Sequence, residues 1–526
     1  MSKIIKKSII VLLLVVCVLG FVVLFFANAI VERKLKSSLE NLPETVLFNY
    51  SELHVNVFQG ELYVENPELE LMGNDDSVAN LKVKLEEFKL EQVSYWRYIF
   101  NGSIHLDRVL FQDAEILYIK ENRKKESVSE KMDKTSGSKS LKGFNKTVKI
   151  DNVDFSHATL TVFKAASDSV FLKSENINIS FNDIRIDETS SKKNIPFNYS
   201  NYRVLTDSLK FNVGRFETLS LQELELTKEK WIVRNFKFKT KYTKAAFSKR
   251  LKKERDYFNV EVDSFYIKSP KFGYLDNRFY FKADTILIEQ PDVEIYRNKL
   301  VPDDYTIKPL YSKMLRDLKF DLTLPIVILS HGNIVYEEKV KTGVRAGSIL
   351  FKDFNASIKN ISNTYVFPIK TELDIDTKFF GTAPLHANWM FDVNNKNDDF
   401  TFKAQIGRLP VSRLNRFTEH NLNIKLEGQF DEIYARIDGN VDRSSVNFNV
   451  KYEDVKVHVL NKKKKKNKFL SSIANIFIRN DSNKNKDRFI EKKGQVTRDK
   501  TKSVFNFFWL NMQEGLKLVF IGDGII

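Results

Sequence analysis

The sequence predicts a mainly β protein: one N-terminal transmembrane helix, then a long, strongly curved and repetitive β-sheet forming a groove or half-pipe, then a C-terminal amphipathic helix. Three patterns predict it. An uncharged run stands near the N-terminus, period-two alternation of apolar and polar residues fills most of the chain, and from Ser503 the period becomes helical. The expected organisation is a cytoplasmic tail over 1–8, an anchor over 9–30, the β-groove over 31–460 with a loop at 121–142, a basic disordered linker over 461–502, and the closing helix over 503–526.

Lys3, Lys6 and Lys7 precede nineteen residues, Ile9 to Ala27, that carry no charge. At 1.5 Å per residue this run spans about 28 Å, close to the hydrocarbon thickness of a bilayer. Ala27-Asn28-Ala29 also resembles a signal-peptide cleavage site, so a released chain stays open as the alternative; the length of the run favours a retained anchor. The lysines predict a cytoplasmic N-terminus with the bulk of the chain across the membrane. Glu32 to Leu42 reads as a short helix, with Leu35, Leu39 and Leu42 at helical spacing, ending before Pro43.

From Tyr50 the alternation contains a ten-residue phrase: two alternating apolar residues, two spacers, a small Gly, Ala or Pro, and two more alternating apolar residues. Its clearest copies are Val109, Phe111, Ala114, Ile116, Tyr118; Val153, Phe155, Ala158, Leu160, Val162; and Val327, Leu329, Gly332, Ile334, Tyr336. Further copies surround Pro270 (Phe265, Ile267, Phe272, Tyr274) and Pro291 (Ile286, Ile288, Val293, Ile295), and others centre on Gly60, Pro67, Pro325 and Gly407. With 42% hydrophobic residues and 19 Gly, 11 Pro and 17 Ala as centres, chance supplies roughly 1.5 matches against the nine found. Apolar positions at −5 and −3 but +2 and +4 cannot share one face of an uninterrupted strand. A bulge or tight turn at the small residue is therefore expected, keeping one face apolar across a bend.

Strand-like stretches include His54–Val64, Ser103–Lys120, Val148–Lys164, Asn176–Ile186, Lys210–Thr227, Trp231–Thr240, Asn259–Lys268 and Arg278–Arg297, and beyond Leu324 they continue through Val366–Phe379 to Val446–Val459. Two helical islands interrupt them, the very basic Lys244–Arg255 and Tyr311–Leu318. Glu121–Lys142, rich in Lys, Glu and Ser, reads as a solvated loop. The 43 Phe residues fit either an elongated core or an extended apolar groove. In the last segment Phe505, Phe508, Trp509, Met512, Leu516, Val519 and Phe520 form a helical stripe. It suits a helix packed on its own domain, a lid at one end of the groove, or a contact with a partner or second membrane.

The formal charge of +16 is concentrated: Asn461–Lys502 holds 15 Lys or Arg against four acids. No nucleic-acid module accompanies it, so a solvated loop or a contact with anionic lipid is expected, not nucleic acid. The one cysteine, Cys17, lies in the apolar run and permits no intrachain disulfide. The seven histidines (His54, His105, His157, His331, His386, His420, His458) are scattered, with no pair at metal-ligand spacing. His157 and His331 precede small phrase residues, where exposed bend positions are expected. No nucleophile elbow, phosphate-cradling loop or zinc motif occurs. The sequence therefore predicts no enzyme, no cofactor, no metal and no catalytic residue.

The anchor, the long β-repeat, the stretch "IKPLYSKMLRDLKFDLTLPIVILSHGNIVYEE" from Ile307, "RAGSILFKDFNASIKNIS" from Arg345 and the closing "TRDKTKSVFNFFWLNMQEGL" together resemble the AsmA-like family, whose larger relatives include TamB. The resemblance implies a repeating β-groove in the periplasm, anchored in the bacterial inner membrane, whose apolar inside carries phospholipid between inner and outer membranes. The phrase residues named above would line that groove. Roughly 25 strands at about 4.8 Å would make it on the order of 120 Å long. The competing expectation is an envelope scaffold that assists outer-membrane protein assembly, with the sheet a solid core.

Overall fold

In a computed structural model of the chain, residues 28–72, 79–94, 103–120, 147–164, 169–190, 193–460 and 489–521 are described. The expected anchor core, the 121–142 loop and the Lys462–Lys466 tract lie outside these residues. Among those described, no helix is long and apolar enough to cross a membrane. The protein is mainly β, and its strands form one large sheet. Two units are distinguished, one of residues up to 212 with 221–228, the other of 213–220 with 229–526.

In the first unit, residues 28–40 are helical, and Val31, Leu35 and Leu39 pack on the buried Leu53, Val55 and Val64. Leu42, placed on the same stripe by its spacing, is instead exposed, because the helix has ended before it. The strands that follow come as paired half-strands. Glu61–Glu65 and Glu68–Met72 form one such pair, and Ile104–Gln112 and Glu115–Ile119 form another. The second pair lies parallel to the single long strand Val148–Phe163, in a register that sets the two phrases side by side: Val109 against Val153, Phe111 against Phe155, Ile116 against Leu160, Tyr118 against Val162.

The expected phase shift is present, and the residue before the small one makes it. Asn66, Asp113, His157, Ser269, Gln290 and His331 all have φ between +48° and +57°, and each precedes a buried Pro67, Ala114, Ala158, Pro270, Pro291 or Gly332. A single left-handed residue turns the strand so that the alternation resumes on the original face. The small residue is needed because bends stack on bends. Asp113 N–H donates to Ser156 O at 2.9 Å and Thr159 N–H to Ala114 O at 2.7 Å. At Gly332 an added Cβ would lie 2.8 Å from Pro291 Cγ.

Three phrases resolve differently. Gly60, φ +72°, belongs to a turn that folds the expected single strand His54–Val64 into a hairpin of Glu52–Asn56 and Glu61–Glu65. Leu324, before Pro325, is not left-handed; the left-handed residue at that bend is Asn360 on the neighbouring strand, φ +61°. At Gly407 the strand Phe400–Ile406 ends, and the chain passes into a short 3-10 turn. The left-handed requirement is testable at His331, which is solvent-exposed with φ +57°. His331→Val is expected to cost about 1–2 kcal/mol in urea unfolding, while His331→Gly or Asn stays near neutral.

In the second unit, strands Thr285–Glu289 and Asp292–Asn298 lie parallel to Asp321–Lys339, again with phrases in register: Ile286 against Val327, Ile288 against Leu329, Val293 against Ile334, Ile295 against Tyr336. Gly347–Ser362 and the strands from Thr371 onward extend the unit antiparallel. Residues 366–370, expected in strand, form a loop. Of the islands, Lys244–Arg250 and Tyr311–Arg316 are helical, and a third helix, Asn415–Asn421, was not expected. The basic linker expected to run to Lys502 ends earlier: Ile490–Thr497 is a strand paired with Arg443–Val459, followed by an ordered turn.

The C-terminal helix, Val504–Ile521, packs on its own unit in a core with Trp389, Phe400, Phe430, Ile437, Phe448 and Tyr452. The expected stripe is partly corrected. Phe508, Met512, Leu516, Val519 and Phe520 do join this core, but Phe505 is 60% exposed and Trp509 36%. Val504, Phe507 and Asn511 are buried in their place, because the helix faces the sheet rotated from the stripe's centre. Asn511 is accommodated by Ser444 Oγ, which donates to its Oδ1 at 2.9 Å, and by its own donation to Phe507 O at 2.8 Å.

Candidate apolar face

The phrase residues assemble into continuous cross-strand rows. In the first unit one row runs Leu53, Val64, Phe88, Phe111, Phe155, Ile179, Val204 across successive strands. A second runs Val55, Leu62, Leu90, Val109, Val153, Phe181, Tyr202. Beyond the bend two more follow, through Phe48, Leu69, Val83, Ile116 and Leu160, and through Val46, Leu71, Leu81, Tyr118 and Val162. Directly opposed residues share a face of the sheet, so each row is one-sided. Phe48, from beyond the bend, packs in the same cluster as Leu53, Val55 and Val64. The rows on both sides of the bend therefore lie on one face.

The opposite face is ionic. Lys82 pairs with Glu70 at 2.9 Å, Lys84 with Glu68 at 2.7 Å, Lys89 with Glu91 at 3.0 Å and Arg108 with Asp154 at 2.7 Å. Exposed pairs of this kind add little stability, but they keep that face wet and fix which side is apolar.

The apolar rows are not sealed as a core is. Phe111, Ile116, Val153, Phe155, Leu160 and Val162 are all half-buried and Tyr118 is 38% exposed; Val109 is buried, as are Leu53, Val55, Val64 and Tyr202 at the row ends. Phe111 and Phe155 stack at 4.3 Å. In the second unit Phe265, Ile267, Phe272, Ile286, Ile288, Val293, Ile295, Leu329, Ile334 and Tyr336 are likewise half-buried, with Val327 buried. Tyr274 departs from the expected lining: it stands 50% exposed near a hairpin turn, against Phe279. Leu373, in the Val327 row, and Phe379, in the Ile334 row, pack on one core, which places both sides of the Gly332 bend on the same face.

That face becomes a solid core where the C-terminal helix covers it. From Trp389 onward the row Trp389, Phe402, Ile437, Val446 lies beneath the helix. Two glycines admit the helix: a Cβ at Gly515 would lie 2.4 Å from Phe448 Cγ, and one at Gly494 would lie 2.9 Å from Glu514 Cγ. The turn leading into the helix is tied down by charge. Lys502 reaches Glu254 at 2.8 Å and Asp303 at 2.7 Å, Lys299 also reaches Glu254 at 2.8 Å, and Arg498 donates to Lys308 O at 2.5 Å.

Burial pushes the Glu254 carboxyl up, but the ammonium groups of Lys299 and Lys502 more than offset this and its pKa falls below the usual 4.5. Burial pushes Lys502 down, and Asp303 and Glu254 raise it above 10.5 on balance. A lowered acid stabilises above its unfolded value and loses this as pH falls; a raised base stabilises below its unfolded value and loses this as pH rises. Lys502→Met is therefore expected to cost about 1–3 kcal/mol between pH 4.5 and 10.5. Unfolding midpoints followed against pH should show this defect shrinking below pH 4.5.

His157 and His331 are exposed at bends, as their positions predicted. His105, Asp107 and Asp151 bring their ligand atoms within 4.8 Å of one another, a grouping the sequence did not suggest because the third residue comes from a neighbouring strand. His105 Nε2 already contacts Asp151 at 2.9 Å. A cleft of about 690 Å³, lined by Phe367, Asp392, Asp438 and Arg443 among others, mixes apolar and charged side chains. The left-handed residues Asn176, Asp183, Asn235, Asp353 and Asp454 mark further bends with large residues after them. Searching for Asn or Asp before an apolar residue would have found them.

Compared with protein families and with characterised proteins, the chain matches no family model and no curated relative.

Proposed function

We propose that this chain is an AsmA-like protein of a bacterial envelope, anchored in the inner membrane with its bulk in the periplasm, that carries phospholipid acyl chains on its apolar face. The observation that carries the reading is the set of half-open apolar rows, Phe88–Phe111–Phe155–Ile179 and its neighbours, backed by an ionic face. An acyl chain lying on such rows leaves water at about 0.8 kcal/mol per methylene while its head group stays solvated. A strongly curved half-pipe, with the left-handed bends turning each strand around the chain, is the arrangement this reading requires. Mass spectrometry of lipid extracted from the purified full chain tests it. Stoichiometric phospholipid is expected; a chain that stays empty after exposure to phospholipid vesicles overturns it.

A scaffold assisting outer-membrane protein assembly is the second reading, favoured by the solid C-terminal core and by the exposed Phe505 and Trp509 on its helix. Phe505→Ser with Trp509→Ser leaves the buried Val504, Phe507 and Phe508 in place to hold the helix. This variant should abolish partner cross-linking under the scaffold reading and leave lipid content unchanged.

A further inference from the structure

The basic island that follows the strand Lys230–Thr240 has no part in the apolar face. We propose that Arg215, Lys241, Lys249, Arg250 and Lys252 form a docking surface for an anionic lipid bilayer. All five are exposed and lie in the second unit. They sit together: Lys241 N–H donates to Phe216 O at 2.8 Å and Lys241 Nζ to Gly214 O at 3.3 Å. The Arg215 guanidinium lies 5.2 Å from the Phe216 ring, and that of Arg250 lies 4.3 Å from Tyr242. Phe216 in turn packs on the buried Phe247 of the short helix at 5.3 Å and on Tyr242 at 6.3 Å. The aromatic rings thus hold Arg215 and Arg250 beside Lys241, and Lys249 and Lys252 flank Arg250 along the chain.

What makes the patch a candidate is that its neighbouring acids are taken by other cations. Glu217 is held by Arg255 at 2.7 Å, Asp256 by Arg297 at 2.6 Å, Glu254 by Lys299 and Lys502, Asp303 by Lys502, and Asp304 by Lys253 and Lys308. None of the five patch cations has a carboxylate within ion-pair distance among the described residues. A cluster of uncompensated positive charge is unfavourable unless an anionic surface neutralises it. An anionic bilayer is the partner of choice because the exposed, unpaired charge of the patch is wholly positive and the proposed inner-membrane anchor already holds the chain at a membrane. Each cation near an anionic leaflet strengthens binding roughly fivefold. The inference rests on the membrane placement proposed above and not on lipid carriage.

The test is flotation of the full chain, held in amphipol, with vesicles of 3:1 phosphatidylcholine to phosphatidylglycerol and of phosphatidylcholine alone. The native chain is expected to bind the anionic vesicles at least tenfold more strongly. Changing all five residues to Gln should remove that preference, with the unfolding midpoint and the amount of co-purified lipid unchanged. Should five changes perturb folding, Arg250→Gln with Lys252→Gln is expected to weaken anionic binding by roughly 25-fold. A native chain without preference, or a variant that retains it, overturns the proposal. So does equal binding to a short DNA duplex or a soluble acidic protein. Because lipid content is read on the same samples, loss of the patch and loss of lipid carriage are separable results.

Discussion

Changing both Phe155 and Ile334 to aspartate is expected to reduce lipid co-purifying with the chain at least tenfold while the protein stays folded. Phe155 stands mid-row between Phe111 and Ile179, and Ile334 between Val293 and Phe351, each half-buried. A carboxylate at either position would have to lose water for an acyl chain to lie across it. Without a partner charge that penalty exceeds the 1.4 kcal/mol that a tenfold loss requires. Because the face is already partly wet, the carboxylates remain solvated in the lipid-free protein, and the stability cost should stay near 1–3 kcal/mol. The matched control is Thr159→Lys, on the ionic face beside Glu115, which should leave lipid content unchanged. Unchanged lipid in the double aspartate variant would remove the apolar face from any role in carriage.

Gly515→Val is expected to give the largest loss of stability of any single change considered, about 3 kcal/mol or more. The added Cβ alone would lie 2.4 Å from Phe448 Cγ and 2.6 Å from its Cδ2, and Phe448 is fully buried, so the ring has nowhere to go. Either the ring leaves its rotamer or the helix lifts from the sheet, and overpacking a well-filled core in this way typically costs 1–3 kcal/mol or more. Lifting the helix would also strand Phe507 and Phe508 in water and leave Asn511 without Ser444. Urea unfolding followed by tryptophan fluorescence reads the result, since Trp389 lies under Phe508 at 5.2 Å. Gly515→Ala should show a smaller loss in the same direction. A midpoint unchanged by both substitutions would mean the helix is not docked on Phe448.

The bends were legible in the sequence to the extent that they needed a small residue. At Ala114, Ala158 and Gly332 adjacent bends stack so closely that a larger side chain would collide, so the requirement is written into residue size. At Asn176, Asp183 and Asp353 the same left-handed turn is followed by Ile177, Ile184 and Phe354, and a search for small centres passes over them. Their backbone need is satisfied by an Asn or Asp that tolerates positive φ, which composition presents as ordinary surface polarity. The Gly60 turn and the Gly407 strand end carry the same apolar spacing as a true bend. Only the chain path distinguishes them.

The C-terminal stripe and the buried face of its helix differ for a related reason. Phe505 and Trp509 have the right period, but the helix's rotation is set by the sheet it meets, where Gly515 and Gly494 open the way for close approach. Helical periodicity identifies an apolar stripe; it does not say which edge of the stripe is pressed deepest.

By itself the sequence determined that the chain is a long β structure with one apolar and one ionic face, and where the bends with small centres fall. Alternation and residue size suffice for that, because a period of two assigns every side chain to a face and a small residue after a left-handed one restores the phase. Only the tertiary structure decided what covers the apolar face. Phe155 and Phe448 are both mid-sheet phenylalanines, yet one is half-open and the other sealed. The difference is made by a helix encoded some seventy residues after Phe448 and admitted through two glycines, a pairing that no local pattern records.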